Sequence, residues 1–547
     1  MSEGLSTLFR RAAARWAEAP AVLAEPLWSY AQLDRASDAV AAGLAAHGVD
    51  PGERVALLCP NGAEFAAAYL GILKAGAIVV PINLLLHPSA AAFQLRDCGC
   101  QALIAHAGLA EMARAALAEA PGVRLRIGLG GDLGPLGHAP DVSPASLAGG
   151  HRKGLPRDDP NSVIWLLETL STGPEEPPPG VERSARDDAV ILYTSGTTGR
   201  PKGAVLTHGN LAANVQAVVE ALALQPERDR FLVVLPMFHA FAATVGLLTP
   251  LLTGAALIPV PRFDPELIMQ GIARHRATIF LGVPSLYALL LRLPDEQVAH
   301  WASVRLCISG GAAMPPSVME RFEERYGVPI LEGDGPTECG PVTAVNPPSG
   351  PRKPSSIGPP IPGVEMRICD PAGRELPNGE HGEVCVRGPS VMRGYWNLPE
   401  ATAESFFGEW FRTGDLGWRD DDGWFYLVDR IKDLIITNGM NVYPRIVEEA
   451  LMRHPSVVEA AVVGEPHPAH GEIVIAHVVV RPEQPVDAGT LKAWCRERLG
   501  RHEQPRRIEL RAALPKNAAG KVLKRELRTA GERERGVGTS SPSPDCT

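Results

Sequence analysis

A chain of 547 residues is long enough for more than one domain and for a large core. Its 53 basic and 62 acidic side chains leave a net charge of −9 with the signs interspersed, so there is no basic face to recognise nucleic acid. Nine cysteines, with Cys98 and Cys100 in a lone C-x-C, support neither a disulfide framework nor a zinc site and fit a reducing cytoplasm.

At the N-terminus, Glu3, Arg10 and Arg11 put charge where an export signal needs its apolar region, so no export is expected. Apolar spacing predicts helices over 5–17 and 30–47, the second with Ser29 as N-cap and Gly48 just past its end. Strands at 53–59, 77–81 and 101–105 then alternate with helices at 64–74 and 89–97, a pattern that argues for a mostly parallel sheet. The pattern dissolves between about 130 and 187, where Gly-rich and Pro-rich connections surround one weak segment at 161–170. It resumes with a strand at 188–193 and a helix at 210–222.

From Phe231 to Pro261 there is no Asp, Glu, Lys or Arg, which on length alone would suggest a membrane span. Pro236, His239, Pro250 and Gly254 divide it instead into a buried strand at 231–235, a loop, a helix near 241–252 and a strand at 255–260. Further α/β alternation runs from 264 to 331. From about 340 to 428 short strands and Gly/Pro turns predict a small antiparallel barrel or sheet. A final unit of about 100 residues has helices at 444–453 and 488–500 and strands at 457–464, 472–481 and 506–511, a compact α+β piece. The expected fold is thus α/β, with a large domain over 1–430, a small mobile α+β domain over 431–529 and a disordered tail over 530–547.

The chemistry gathers first at Tyr193–Gly203, Tyr-Thr-Ser-Gly-Thr-Thr-Gly-Arg-Pro-Lys-Gly, which hangs from the strand at 188–193. Its glycines let backbone approach a ligand, its hydroxyls donate to oxygens, and Arg200 and Lys202 bring charge to the edge: it is built to hold phosphate. No Gly-Lys-Ser/Thr ending opens a helix, so it is not a Walker loop. The run closely resembles the phosphate loop of the adenylate-forming superfamily, which includes acyl-CoA synthetases, peptide-synthetase adenylation domains and luciferases. That resemblance makes Thr194, Ser195, Gly196, Thr197, Thr198, Gly199 and Lys202 ATP contacts. It covers about residues 5–528, with at least six motifs in family order.

Activating a carboxylate requires ATP, Mg²⁺ and the acid to be gathered while crowded negative charge is neutralised. Gly333-Asp-Gly-Pro-Thr337-Glu338 ends in a hydroxyl and a carboxylate, and it resembles the family's aromatic-Gly-x-Thr-Glu motif. The resemblance assigns Thr337 to the α-phosphate and Glu338 to the metal. Asp334 stands where the family carries an aromatic residue that stacks on adenine, a contact a carboxylate does not reproduce, so either Asp334 binds the nucleotide by hydrogen-bonding the purine or another side chain covers that face. Trp410-Phe-Arg-Thr-Gly-Asp415 presents a carboxylate suited to two ribose hydroxyls, and Arg430 in Asp-Arg-Ile-Lys-Asp433 reaches the same ribose by resemblance. Lys521, on a Gly turn after Gly520, resembles the family's catalytic lysine, which meets the α-phosphate and the acid's oxygens during adenylation.

His239 resembles the residue at the acyl and thiol entrance, where a gate role is expected in place of proton transfer because a thiol near pKa 8.5 needs little help. The resemblance also makes Lys432 the hinge on which the small domain rotates, after which Gly439 lines the pantetheine tunnel to CoA. Ile446 stands where the family usually carries Glu. Around the acid, Phe241, Ala242 and Gly246 and the Ser309–Met314 turn with Gly310, Gly311 and Ala312 offer small or apolar walls, Gly310 also serving the nucleotide. The pocket reads as apolar and elongated, with a medium- or long-chain fatty acid first and an aryl or short branched acid second. The expected partners are ATP, CoA and a carboxylic acid, with no nucleic acid and no transmembrane segment, while peripheral membrane contact and a homodimer stay open. Two rivals remain: an acyl-AMP ligase that loads a carrier protein, and a nucleotide- or acyl-binding protein without turnover.

Overall fold

The computed structural model describes residues 3–130, 164–165, 181–194, 200–516 and 522–528. By internal contacts the chain divides into two compact units, one of residues 1–314, 318–366 and 386–411 and the other of residues 315–317, 367–385 and 412–547.

In the first unit, local signals set the helix ends and burial sets which face each helix covers. Helix Tyr30–Ala46 begins in a capping box, in which Ser29 Oγ accepts from Gln32 N and Gln32 Oε1 accepts from Ser29 N. Two eight-stranded sheets carry the unit. One runs in the order Ala344–Val345, Ile330–Asp334, Leu306–Ser309, Ile279–Gly282, Arg230–Val233, Ala256–Pro259, Pro20–Val22 and Trp28–Ser29. Its inner pairs are parallel and its two outermost pairs antiparallel. Both faces of such strands are covered, which is why they read as unbroken apolar runs. Beside them Phe280, Tyr287, Trp301, Phe322 and Tyr326 pack with ring centroids 4.5–5.7 Å apart, mostly edge to face.

The other sheet has the order Gly394–Tyr395, Lys202–Thr207, Asp188–Thr194, Ile78–Pro81, Arg54–Leu58, Ala102–His106, Leu125–Leu129 and Ile164–Trp165. Its strand Lys202–Thr207 is absent from the sequence expectation. It pairs antiparallel with Asp188–Thr194, with Thr194 opposite Lys202, so the phosphate-loop segment joins the two arms of a hairpin. The charged start at Lys202 hid a strand whose Ala204, Val205 and Leu206 are all buried.

The uncharged stretch 231–261 becomes strand Arg230–Val233, a π-helical turn Ala242–Leu248, a short α-helix Thr249–Thr253 and strand Ala256–Pro259. Among the described residues no helix is long and apolar enough to cross a membrane. The π turn replaces the single α-helix expected there, and its cause is local. Pro250 has no N–H to donate back into the helix, while the Thr249 backbone N–H and its Oγ1, at 2.8 Å, both take the Thr244 carbonyl five residues back.

A five-stranded sheet contains Glu365–Cys369, Gly382–Arg387, Trp410–Arg419, Phe406–Phe407 and Phe425–Arg430, the last antiparallel to Trp410–Arg419. The C-terminal sheet of the second unit has the order Met440–Val442, Ile435–Thr437, Gly471–Val480 and Val457–His467, with Arg507–Leu510 parallel beside Gly471–Val480. Helices Pro444–Met452 and Ala488–Arg496 cover it, burying Val447, Leu451, Leu491 and Cys495. The expected domain boundary falls at 430, whereas by contacts residues 412–430 group with the C-terminal residues. Arg445 accounts for part of this: its backbone N donates to Asp429 Oδ2 at 2.9 Å and its side chain to the Leu427 carbonyl at 2.5 Å. The fold is α/β, with parallel-type layers, a small mostly antiparallel sheet and a C-terminal α+β region.

Candidate active site

Three segments far apart in sequence meet at one carboxylate in the first unit. Glu338 lies in the short 3₁₀ turn Thr337–Cys339, whose backbone is held when Met392 N donates to the Glu338 carbonyl at 2.7 Å. Glu338 Oε1 accepts from Thr194 Oγ1 at 3.1 Å and from Tyr395 OH at 3.0 Å. Tyr395 sits on the edge strand Gly394–Tyr395, opposite Ala204, so Lys202 is its diagonal neighbour on the same sheet face. The Lys202 ammonium lies 4.9 Å from the Tyr395 ring centroid, within the reach of a cation–π contact. Ser195, Gly196, Thr197, Thr198 and Gly199 lie outside the described residues, as does Lys521.

The turn that presents Glu338 depends on close backbone approach. A Cβ on Gly335 would fall 1.7 Å from the Pro341 carbonyl oxygen, so no other residue fits there. Asp334 ends strand Ile330–Asp334, and its carbonyl accepts from Thr343 N at 2.9 Å and Thr343 Oγ1 at 3.0 Å.

Thr337 and His239 line one cleft of about 70 Å³ together with Tyr193, Leu192, Phe238 and Ala240. The loop carrying His239 is fixed from below by Asn61, a buried amide whose Nδ2 donates to the carbonyls of Val233, Leu235 and Val260 while its Oδ1 accepts from Met237 N at 2.8 Å. Tyr193 OH donates to Asp97 Oδ2 at 2.6 Å. Burial, with Cys98 and Asp97 nearby, pushes this phenol far above its ordinary value and keeps it a neutral donor. Cys98 and Cys100 lie beneath it with their sulfurs 3.2 Å apart as free thiols.

Along the expected acyl wall, Phe241 packs beside Gly310, where a Cβ would lie 3.5 Å from its ring and 3.6 Å from the Gly333 carbonyl oxygen. Ala242 is fully buried, and Gly311 and Ala312 are exposed. The space a side chain would take at Gly246 is occupied, because a Cβ there would meet Val233 and Leu281 at 2.9–3.1 Å. Its small size serves helix-to-sheet packing.

In the second unit Asp415 and Arg430 stand directly opposite on antiparallel strands, with Arg430 Nε 2.8 Å from Asp415 Oδ1. Asp415 is buried, its backbone N donates to Thr413 Oγ1 at 3.0 Å, and Arg430 also donates to the Thr413 carbonyl at 2.9 Å. Lys432 lies in the turn Ile431–Asp433 and lines a cavity of about 190 Å³ with Glu465, Glu472, His477, Arg507 and Arg528. Burial holds the His477 imidazole below its ordinary pKa. Gly439, with φ +77°, follows Asn438, with φ +51°, at the tip of a two-residue hairpin between Ile435–Thr437 and Met440–Val442. Both residues need positive φ, so the Asn-Gly pair is the hairpin signal that the sequence reading passed over in favour of a tunnel wall. Ile446 is exposed on helix Pro444–Met452.

Sequence reasoning missed Tyr395 and Asn61. Gly394-Tyr395-Trp396, an aromatic pair after a glycine and before a turn, was the available sign of the first. Asn61 reads as an ordinary turn residue between Pro60 and Gly62, and only its four buried hydrogen bonds distinguish it. Among the described residues no three His, Cys, Asp or Glu side chains gather as a metal set. The donors present still suit Mg²⁺, which binds through one or two carboxylates plus substrate phosphates: among the described residues both side-chain contacts of Glu338 fall on Oε1, leaving Oε2 as a hard oxygen ligand.

Comparison with known proteins agrees with this geometry. Residues 9–396 match the family model of AMP-binding enzymes, and residues 446–521 match that of the AMP-binding enzyme C-terminal domain. The chain is 36% identical to the sulfoacetate–CoA ligase of Cupriavidus necator over 96% of its own length and 97% of that protein's. It is also 36% identical to the long-chain-fatty-acid–CoA ligase of Bacillus subtilis, over 89% of this chain and 87% of that one. Among solved structures, a benzoate CoA ligase from Burkholderia xenovorans is similar with a TM-score of 0.82 and 29% identity, covering 96% of this chain and 99% of that one. With the Thr194–Lys202 hairpin tied to the Thr-Glu turn, and family models spanning most of its length, the chain belongs to the AMP-binding enzymes, in the acyl-CoA synthetase branch of the adenylate-forming superfamily.

Proposed function

We propose that the protein is an ATP-dependent acyl-CoA ligase that converts an apolar carboxylic acid to an acyl-adenylate and passes the acyl group to CoA, releasing AMP and pyrophosphate. The observation that carries this reading is the Thr194–Glu338 hydrogen bond, which brings the carboxylate of the Thr-Glu turn to the mouth of the phosphate-loop hairpin. The roles follow from chemistry. The loop 195–199 and Lys202 hold the β- and γ-phosphates, Thr337 donates to the α-phosphate, and the buried Asp415, oriented by Arg430, accepts from the ribose hydroxyls. Glu338 would hold Mg²⁺, which when bound neutralises charge on the phosphates. Lys521 directs its ammonium at the α-phosphate and the acid's oxygens during adenylation.

Lys521 must withdraw before a thiol reaches the same carbonyl, and rotation of the small domain at Lys432 accomplishes this in our reading. Gly439 then borders the pantetheine path and His239 gates it.

For the acid, the cleft beside His239 has no Asp, Glu, Lys or Arg among its described lining residues, which suits an uncharged acyl body better than a second anion such as that of sulfoacetate. A medium- or long-chain fatty acid is the first choice, with Phe241, Ala242, Gly311 and Ala312 along its path. One observation favours an aryl or short branched acid as the second: Gly246 is packed so closely against Val233 and Leu281 that its small size does not open space for a long chain at that position.

AMP release measured with ATP, Mg²⁺ and acids from acetate to palmitate, plus benzoate and a cinnamate, with and without CoA, tests both levels. CoA-dependent AMP with octanoate to palmitate supports the first choice, and turnover confined to benzoate or the cinnamate replaces it with the second. Pyrophosphate exchange without CoA turnover would instead identify a carrier-protein-loading ligase, and silence throughout a binding protein.

A further inference from the structure

The proposed roles leave one contact at the site without a function. Glu338 Oε1 receives two hydroxyls, from Thr194 at 3.1 Å and Tyr395 at 3.0 Å. Thr194 belongs to the phosphate-loop hairpin, but Tyr395 comes from an edge strand some sixty residues after Glu338 and carries none of the proposed roles. Its backbone is nevertheless fixed on both sides. Gly394 and Tyr395 pair with Val205 and Ala204, Trp396 N donates to the Gly203 carbonyl at 2.8 Å, and Tyr395 N donates to Thr402 Oγ1 at 2.9 Å. The same short segment supplies Met392 N to the Glu338 carbonyl. Tyr395 thus touches both charges, its hydroxyl on the carboxylate and its face toward the Lys202 ammonium.

We propose that Tyr395 is a positioning residue for metal-nucleotide binding: its hydroxyl fixes the Glu338 carboxylate so that Oε2 is left for the cation, and its ring holds the Lys202 ammonium. The physical reason is orientation. A free glutamate on a short turn samples several rotamers, and a divalent cation that keeps near-ideal octahedral geometry tolerates little of that freedom. Two donors on one oxygen restrict the carboxylate without consuming the other oxygen. A phenol serves where a lysine would not, because it donates a hydrogen bond without bringing a positive charge that would compete with the metal. The face of the same ring attracts a cation, so one side chain steadies both Lys202 and Glu338.

This inference rests on the reading of Glu338 as the metal-holding carboxylate, and its test keeps the two apart. Mn²⁺ is titrated into the full-length protein saturated with a non-hydrolysable ATP analogue, and free Mn²⁺ is followed by electron paramagnetic resonance for wild type, Tyr395→Phe, Glu338→Gln and the double variant. The analogue's own affinity is measured without metal. Tyr395→Phe keeps the ring and is expected to weaken Mn²⁺ binding about 10-fold, the effect of a hydrogen bond to a charged group, with analogue affinity changed by less than about 2-fold. The double variant is expected to bind Mn²⁺ no more weakly than Glu338→Gln alone. Tyr395→His, measured at about pH 8.5 so that the imidazole is a neutral donor, provides a second route should the phenylalanine variant unfold, and is expected to fall between wild type and Tyr395→Phe. Normal Mn²⁺ affinity in Tyr395→Phe with weakened affinity in Glu338→Gln overturns the positioning role alone. Normal affinity in Glu338→Gln overturns the metal assignment beneath it.

Discussion

The ionic centres at Glu338 and at Asp415 are built in opposite ways. Around Glu338 the parts arrive from residues 194, 202, 338 and 395, and three separate backbone segments must be in place before one carboxylate is oriented. Asp415 and Arg430 are a cross-strand pair on neighbouring strands, supported by Thr413 two residues from Asp415. A gathered centre is sensitive to changes far away in sequence, whereas a local pair depends on one strand register.

The largest expected effect tests this contrast directly. Glu338→Gln should reduce acid-dependent pyrophosphate exchange by about 100-fold or more with little change in thermal midpoint, since a charge aimed at the reacting phosphates is lost. Asp415→Asn should instead raise the KM for ATP by about 10-fold, the scale of a hydrogen bond to a charged group, and leave kcat nearly intact. Equal losses confined to kcat in both variants would erase the distinction between the centres.

Lys521→Ala sharpens the comparison by separating the half-reactions. Adenylation should fall by about 100-fold, while thioester formation from supplied acyl-adenylate and CoA continues. Stopped-flow assay of each step distinguishes this from equal loss of both, which would count against the domain rotation.

A smaller effect belongs to the framework of the first unit. His208 opens helix His208–Ala221 directly after the Lys202–Thr207 strand, fully buried, with Nδ1 accepting from Leu5 N at 3.2 Å. Burial, with Arg183 adding to it, lowers its pKa to about 4. The unfolded chain therefore binds a proton at higher pH than the folded one. The stabilisation is complete above about pH 6.5 and is lost as pH falls from there toward 4, amounting to about 3 kcal/mol at most. Urea unfolding between pH 7 and 4 should follow that slope, and His208→Gln should flatten it. An unchanged slope would mean that other groups govern the acid limit.

Asp334→Tyr has the smallest expected effect. Since Asp334 contributes its carbonyl to Thr343 whatever its side chain, ATP affinity should stay within about 2-fold or tighten through ring stacking. A loss above about 10-fold, close to a kilocalorie and a half, would identify the carboxylate as an adenine contact.

What could be read in advance divides along the same line. The Asp415–Arg430 pair was legible because both residues sit in local motifs, and a strand turn brings such neighbours together by short-range geometry. The hydroxyl-rich loop and the Thr-Glu turn were legible as separate pieces, since residue type alone states what each can bind. The π turn at Ala242–Leu248 and the hairpin at Asn438–Gly439 were legible in principle, through Pro250 and the Asn-Gly pair, but each was masked by a stronger apolar or functional pattern.

By itself, then, the sequence determined the α/β class, the element types and the chemical inventory of the site, because those follow from periodicity, turn residues and side-chain chemistry over short spans. Only the tertiary structure decided that Tyr395 meets Glu338 and Lys202, that Asn61 anchors the His239 loop, and that Gly246 is filled by Val233 and Leu281. These contacts join residues separated by tens to hundreds of positions. Strand order and side-chain packing select them, and neither is encoded in any local stretch of the chain.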